Sequence, residues 1–421
     1  MEFNKYLLKD IATIIMGQSP KSEYYSDFNG TAFLQGNRTF NNLYPTIDTY
    51  TTKITKTAKK NDILFSVRAP VGEINIAPFE LCIGRGLSAI RSKNKDNKFL
   101  HYLLIYKLQD IHSKSTGTIF NSINKSTLEN LEIKIPIEKF QKFIGTLLRN
   151  IDNKIELNNK IIANLEELSQ TLFKRWFVDF EFPDEDGNPY KSSGGEMIDS
   201  ELGEMPKNWR KTTLGNYIDL DKGLSYKGKF LDKTKEIEES IPMLSLSNFH
   251  FYRGFKNGKT KYYFGDFKDK HKVEAGDIII AATDLTQDRK MLGAPALVPN
   301  LNTNMIYSLD VFKVKESTLP KFVLYFLLQT NKYREFVEGS ATGTTVLRVS
   351  KNIILKVPII IELNIANKFN EMIKKYMHKI ERLNKENEIL VELRDTLLPK
   401  LMSGELEIPD DIEVNMDELS I

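Results

Sequence analysis

Only one cysteine, Cys82, occurs in the 421 residues, and the five histidines show no ligand spacing. This scarcity excludes an internal disulfide framework and every multi-cysteine zinc pattern. No apolar run reaches the roughly 18 residues that a membrane-spanning helix needs. The opening "MEFNKYLLKD" carries acid and base before any apolar stretch. Together these features read as a cytoplasmic chain with no membrane partner. A phosphate loop of Walker type is also missing, because "GSATGTT" from Gly339 lacks the following Lys-Ser/Thr that would grip a nucleotide. The net charge is only +3, with a pI near 8.5. That mild excess permits a nucleic-acid partner without demanding one, so local basic clusters are more informative than the total.

What is present is repetition. The length allows two domains, each with its own core, and 41% hydrophobic with 27% charged residues is the balance of a folded chain. "LKDIATIIMG" from Leu8 has the length and end residues of "LGNYIDLDKG" from Leu214. "NDILFS" from Asn61 answers "GDIIIA" from Gly276, each a short apolar run after an Asp, as where a strand leaves a turn. "KFLHYLL" from Lys98 answers "KFVLYFL" from Lys321, both helical in pattern. "STGTIFNSI" from Ser115 answers "ATGTTVLRV" from Ala341, and "LEIKIP" ending at Pro136 answers "IILKVP" ending at Pro358. Five pairs in the same order imply a duplicated, mixed α/β (α+β) domain whose loops differ in length.

Between and after these domains the period changes to that of a helix. One segment, about 143–177, lays Leu148, Ile151, Ile155, Asn158, Ile162, Leu165, Ser169 and Leu172 on a heptad seam. The second lays out Ile373, Tyr376, Ile380, Leu383, Asn387, Leu390, Arg394 and Leu397. Each predicts a helix of about 50 Å at roughly 1.5 Å per residue. An antiparallel pairing sets Asn158 against Asn387 and so spares either amide an aliphatic partner. The same register sets Leu148 opposite Leu397, Ile155 opposite Leu390, Ile162 opposite Leu383, Leu165 opposite Ile380 and Leu172 opposite Ile373, with Ile151 facing Arg394 less favourably. The expectation is an antiparallel coiled coil holding two domains apart. Ile161, Leu168, Leu147 and Leu393 fall outside the seam and leave surface for another chain. Phe173, Trp176 and Phe177 read partly as core closure and partly as a partner-docking patch.

No catalytic constellation emerges. Asp284 with Asp288 is a carboxylate pair of ordinary density, lone histidines such as His101 and His112 read as structural or solvent-facing, and "DGNPYKSSGG" from Asp186 reads as polar linker. Basic and amide residues gather where loops belong. In the first half these are Gln18, Lys21, Gln35, Asn37, Arg38, Arg68, Arg85, Lys114 and Lys125, with Thr116 in the Thr-Gly-Thr string. In the second half they are Lys222, Lys227, Arg253, Lys256, Gln287, Arg289, Lys290 and Arg348, with Thr342 and Thr344. Arginine suits guanine edges, Gln and Asn suit adenine, and lysine suits phosphate. Gly117 and Gly343 read as turns closing each domain. Two further readings stay open at this level: a self-contained endonuclease with an unrecognised centre, and a structural coiled-coil protein.

The whole pattern resembles the specificity subunit of type I restriction-modification systems. "GQSP" at Gly17, "SVRAPVGEINIA" at Ser66 and "CIGRGLSAI" at Cys82 are similar to a first target-recognition domain. "TGTIFNSI" and "TGTTVLRV" resemble the string that closes each such domain, "LFKRWFVDFEFP" with "PYKSSGGEM" the central spacer, and "LRDTLLPKLMSGEL" the C-terminal spacer. The resemblance implies target-recognition domains at 1–142 and 209–366, long helices at 143–182 and 367–405, a polar linker at 183–208 and an acidic tail at 406–421. It implies a non-catalytic chain that binds a bipartite double-stranded DNA target, with the helices as a ruler for the unread gap. Two modification subunits would methylate adenine with S-adenosylmethionine, and restriction subunits would add ATP- and Mg-dependent translocation and cleavage; this chain itself would bind no cofactor. "DLTQDRKMLGAPALVP" at Asp284 and "MIYSLDVFKV" at Met305 depart from the first half, so the roles of Arg68 and Arg85 do not carry over by position in the string.

Overall fold

The polar residue that opens each strand run acts as a staple. Asp62, buried before Ile63–Ser66, accepts the Lys59 backbone N–H at 2.8 Å and takes the Arg91 guanidinium at 2.6 and 2.5 Å. Asp277, before Ile278–Ala281, accepts the Glu274 N–H at 2.9 Å in the same way. All four residues of each strand are buried, so both faces are covered and the sequence runs apolar without alternation. A computed structural model describes residues 2–113, 122–286, 288–300 and 303–409. The chain divides into two units, Met1–Ile162 with Arg382–Ile421, and Ala163–Glu381.

Unit 1 holds a four-stranded sheet in the order Ala12–Met16, Leu87–Ser92, Ile63–Ser66, Ile74–Ile76. Its five-stranded sheet runs Tyr25–Ser26, Tyr50–Thr51, Thr31–Leu34, Leu81–Ile83, Thr57–Ala58. Unit 2 repeats both. Its four strands run Ile218–Lys222, Val311–Ser317, Ile278–Ala281, Pro295–Leu297, and its five run Leu231–Asp232, Lys261–Tyr263, Ile241–Leu244, Met305–Tyr307, Lys272–Val273. In each five-stranded sheet only the second and fifth strands in chain order pair in parallel. The repeat extends to single atoms. A Cβ on Gly17 would lie 2.1 Å from the Gly84 carbonyl oxygen, and one on Gly223 would lie 2.1 Å from that of Ser308. Glycine is therefore required at the end of both opening strings by close backbone approach.

The first long helix spans Glu138–Phe177 and the second Leu363–Ser403. The first begins before the 143 read from the seam, because Glu138 to Gln141 continue the helical turn directly after the strand Glu132–Pro136. Within unit 1 the helices run antiparallel: Asn158 Nδ2 donates to Asn387 Oδ1 at 3.0 Å, Asn387 Nδ2 donates to Asn159 Oδ1 at 2.9 Å, and Lys154 pairs with Glu386 at 3.5 Å. Leu148, Ile151, Ile155 and Leu383 are buried, Ile162, Leu390 and Leu397 are half-buried, and Leu398, Leu401 and Met402 share a core with Leu148. The seam thus turns from Leu397 towards Leu398 as the second helix meets the sheet domain. Within unit 2, Ile373 and Ile380 are buried and Leu165 and Leu172 half-buried, and Phe369 of the second helix packs edge-on against Phe173 and Phe177 of the first.

Arg394 does not face Ile151 unmatched, as the heptad register suggests. Its Nη1 donates to Asp152 Oδ1 at 2.8 Å, because a long guanidinium stem reaches the neighbouring position. Asp152 is buried and also accepts from the Tyr102 hydroxyl. Arg149 lies over the Tyr102 ring at 5.7 Å, and His101 packs edge-on to the same ring. His101 is 3% exposed with an unpartnered Nδ1. Burial, followed by the Arg149 and Arg394 charges, holds its pKa well below the usual imidazole value. The native state therefore keeps it neutral, whereas the unfolded chain protonates it near pH 6.5. The sign follows: this contribution is fully present above about pH 6.5 and is lost as pH falls below it. Thermal unfolding of unit 1 should drop more steeply between pH 7.5 and 5.5 than in His101→Leu, which copies Leu324 of the matching helix Lys321–Leu327; equal slopes would contradict this.

The segment read as a polar linker is folded onto unit 2. Tyr190 stacks on Phe182 at 4.6 Å, and Met197–Ile198 pairs with Met205–Pro206.

Candidate nucleic-acid interface

In unit 1 the loops at the ends of the two sheets enclose a polar cavity of about 730 Å³. Five of the predicted contacts, Gln35, Asn37, Arg38, Arg68 and Arg85, line it. The sequence folds this way because Gly84 and Gly86 let the Arg85 loop approach the strand Thr31–Leu34: Gly84 N donates to Leu34 O at 2.7 Å and Gly86 N to Gln35 O at 3.2 Å. Arg85 is thereby carried to the rim. Arg38 is held by Asp48, with Nη2 at 2.9 and 2.7 Å from the two carboxylate oxygens. That hydrogen-bonded guanidinium keeps the Asp48 carboxyl below its ordinary value. Arg68 and Arg85 are exposed and have no side-chain partner among the described residues. The cavity thus presents two unneutralised guanidinium groups beside two amides, a donor-rich surface suited to base-edge acceptors.

The other predicted contacts of unit 1 lie apart from this lining. Gln18 is exposed, and its backbone is tied to the Ile83 and Thr55 side of the sheet. Lys21 pairs loosely with Glu23 at 3.9 Å, and Lys125 with Glu129 at 3.3 Å. Lys114, Thr116 and Gly117 lie outside the described residues, as does Gln287 of the second half.

Unit 2 distributes its candidates differently. Gly343 has φ of 108°, and a Cβ there would lie 2.2 Å from the Val346 carbonyl oxygen, so the second Thr-Gly-Thr string makes a tight turn. Thr342 and Arg348 close that turn through paired backbone hydrogen bonds of 3.0 and 2.8 Å. Thr342, Thr344 and Arg348 are all exposed. Arg289 instead donates to the Glu338 carbonyl at 2.8 Å, and Lys290 pairs with Asp288 at 2.9 Å. Lys222 ends the strand Ile218–Lys222, Lys227 precedes the turn Gly228–Phe230, and Lys256 is exposed in a loop. Arg253 lines a separate apolar pocket of about 580 Å³ with Phe173 and Phe326, away from the Thr-Gly-Thr turn.

Phe173, Trp176 and Phe177 are 4%, 9% and 9% exposed, and Phe369 packs edge-on against all three. This packing accounts for the core-closure half of that expectation, and Phe173 and Phe177 also line the apolar pocket. Of the four positions expected outside the seam, Leu168 and Leu393 are exposed and Ile161 and Leu147 half-buried; Leu157 and Ile389 on the same helices are exposed as well. Asp284 and Asp288 do not converge: Asp284 is buried and accepts the Thr286 and Met291 backbone N–H groups at 2.6 and 2.7 Å, and Asp288 holds Lys290. Among the described residues no group of three or more His, Cys, Asp or Glu is arranged to hold a metal ion, and no helix is long and apolar enough to cross a membrane. Sequence reasoning missed Asp48 as the partner of Arg38 and the cluster of Tyr102, Arg149 and Asp152; no local spacing signals either.

Residues 1–167 match the type I restriction modification DNA specificity domain. A putative type I restriction enzyme MjaX specificity subunit of Methanocaldococcus jannaschii is 44% identical over 162 residues, a match spanning 38% of each chain. The MjaIX specificity subunit of the same organism is 28% identical over 362 residues, 83% of this chain and 79% of that protein. The HindI specificity subunit of Haemophilus influenzae is 25% identical over 356 residues, covering 73% and 77%. The crystal structure of an S subunit from M. genitalium shares the fold with a TM-score of 0.59 at 16% identity, over 98% of this chain and 97% of that one. Residues 1–167 thus carry that family's domain, and the relatives aligned along most of the chain are specificity subunits of type I restriction-modification systems.

Proposed function

We propose that each unit reads one half of a bipartite double-stranded DNA target, and that the chain scaffolds two modification subunits and the restriction subunits around it. In this reading the partners carry the chemistry: adenine N6 methylation from S-adenosylmethionine, or ATP- and Mg-dependent translocation and cleavage. The chain works in the cytoplasm, where its DNA lies. The recognition domains are residues 1–142 and 209–366, and the two long helices set the unread gap. The observation that supports it best is a repeated topology with unlike side chains at matching loops. Backbone bonds from Gly17 N to Leu87 O and from Gly223 N to Val311 O align the strings, so Leu309 and Asp310 stand where unit 1 has Arg85 and Gly86. Two readers built alike but tipped differently fit a target with two unlike halves. The modification subunits would dock on exposed helix positions such as Leu157, Leu168, Ile389 and Leu393, and on the Phe173 and Phe177 edges that line the apolar pocket.

Co-expression with a modification subunit and methylation mapping of host DNA tests this. A methylated two-part motif should appear only when the chain is present. Methylation that persists in its absence, or cleavage by the purified chain alone, would overturn the reading.

A further inference from the structure

The Arg68 position of unit 1 corresponds to Thr283 in unit 2, and the correspondence is set by backbone bonds rather than by string similarity. Val67 N donates to Gly86 O at 2.9 Å, as Ala282 N donates to Asp310 O at 2.8 Å. Gly72 N donates to Ser66 O at 3.0 Å, as Gly293 N donates to Ala281 O at 2.9 Å. Ile123 N donates to Val67 O at 2.9 Å, as Val349 N donates to Ala282 O at 3.0 Å. These pairs make Ser122 the counterpart of Arg348. The two residues of each pair are also direct antiparallel partners: Arg68 bridges Ser122, and Thr283 bridges Arg348.

One rung therefore reads Arg–Ser in unit 1 and Thr–Arg in unit 2. Directly opposed antiparallel residues project to the same face with Cβ atoms about 4.5–5.5 Å apart. A guanidinium on its long stem reaches the same region from either strand, and each rung keeps one guanidinium and one hydroxyl. Arg68 and Arg348 are both exposed and without a side-chain partner among the described residues, whereas Arg38, Arg91, Arg289 and Arg394 are held by acceptors of this chain.

We propose that Arg68 and Arg348 are corresponding specificity residues, each making the bidentate contact to a guanine edge at the equivalent position of its own half-site. The assignment rests on the DNA-recognition reading above. It explains how the second unit keeps a guanine reader although its string lacks the arginine of the first. Arg85 has Leu309 as its counterpart, so unit 1 presents a second free guanidinium at a place where unit 2 presents none. The half-site of unit 1 accordingly carries one more guanine contact than that of unit 2 at these positions.

The test is selection from a randomised duplex library by the full chain assembled with its modification subunits. Lysine keeps the charge that a phosphate contact needs but loses the planar fork that reads O6 and N7. Arg68→Lys should weaken the preference for guanine at one position of one half-site by roughly tenfold, leaving the other half-site unchanged, and Arg348→Lys should do the converse. Moving the group across the rung, with Arg68→Ser and Ser122→Arg together, should retain the guanine. An unchanged motif in both lysine variants, with uniform weakening on all sequences in Arg68→Ala and Arg348→Ala, would overturn the assignment in favour of phosphate contacts. A wild-type assembly that enriches no motif would overturn the DNA-recognition reading itself, and this inference with it.

Discussion

Replacing Asp152 by leucine should cost unit 1 about 4 kcal/mol, within the range for a buried ion pair that loses one partner. Asp152 accepts from both Arg394 and Tyr102, with Arg149 alongside, and Arg394 also donates to Asp395 at 2.9 Å. Removing Asp152 leaves the Tyr102 hydroxyl without its acceptor, leaves half-buried Arg394 with the exposed Asp395 alone, and takes a carboxylate from beside the buried Arg149. Arg394→Leu should cost less, because Arg149 remains in the cluster to balance the carboxylate. For a unit of this size, 4 kcal/mol corresponds to a fall of roughly 8–16 °C in the unfolding midpoint. Thermal unfolding of the full chain, read on unit 1, checks the order. Equal losses in the two variants, or none in Asp152→Leu, would show that the cluster does not hold the helix pair against the sheet domain.

The duplication was legible because its strings mark positions where backbone geometry leaves little choice. Gly17 and Gly223 sit against carbonyl groups that admit no Cβ, and Asp62 and Asp277 close the same turn. The antiparallel order of the helices was legible for a related reason: an amide in an aliphatic seam demands another amide, and Asn158 meets Asn387. What stayed hidden depends on partners far along the chain or on total burial. Arg394 finds its acid 242 positions away. That Phe173, Trp176 and Phe177 close a core is legible in their spacing, but that Phe369 and Trp209 are what they close against is not. Most telling is the candidate interface, where type and loop position single out arginines but cannot tell a free guanidinium such as Arg68 from a neutralised one such as Arg38. Nor can string alignment reveal that a residue's counterpart lies on the facing strand, as Arg348 does.

Joined readers differ in kind from two independent ones. Once one unit is bound, the other meets its half-site at a high effective concentration, which raises affinity by roughly 100-fold or more without any new contact. That gain depends on geometry, since each base pair added to the gap turns the second half-site by about 35° around the duplex axis. The most direct measurement is equilibrium binding of the full chain, with its modification subunits, to duplexes carrying both half-sites at the natural gap, both at a gap lengthened by two base pairs, or one alone. We expect the first to bind roughly 100-fold tighter than the other two. A single half-site that binds as tightly as the pair, or indifference to the gap, would contradict the account.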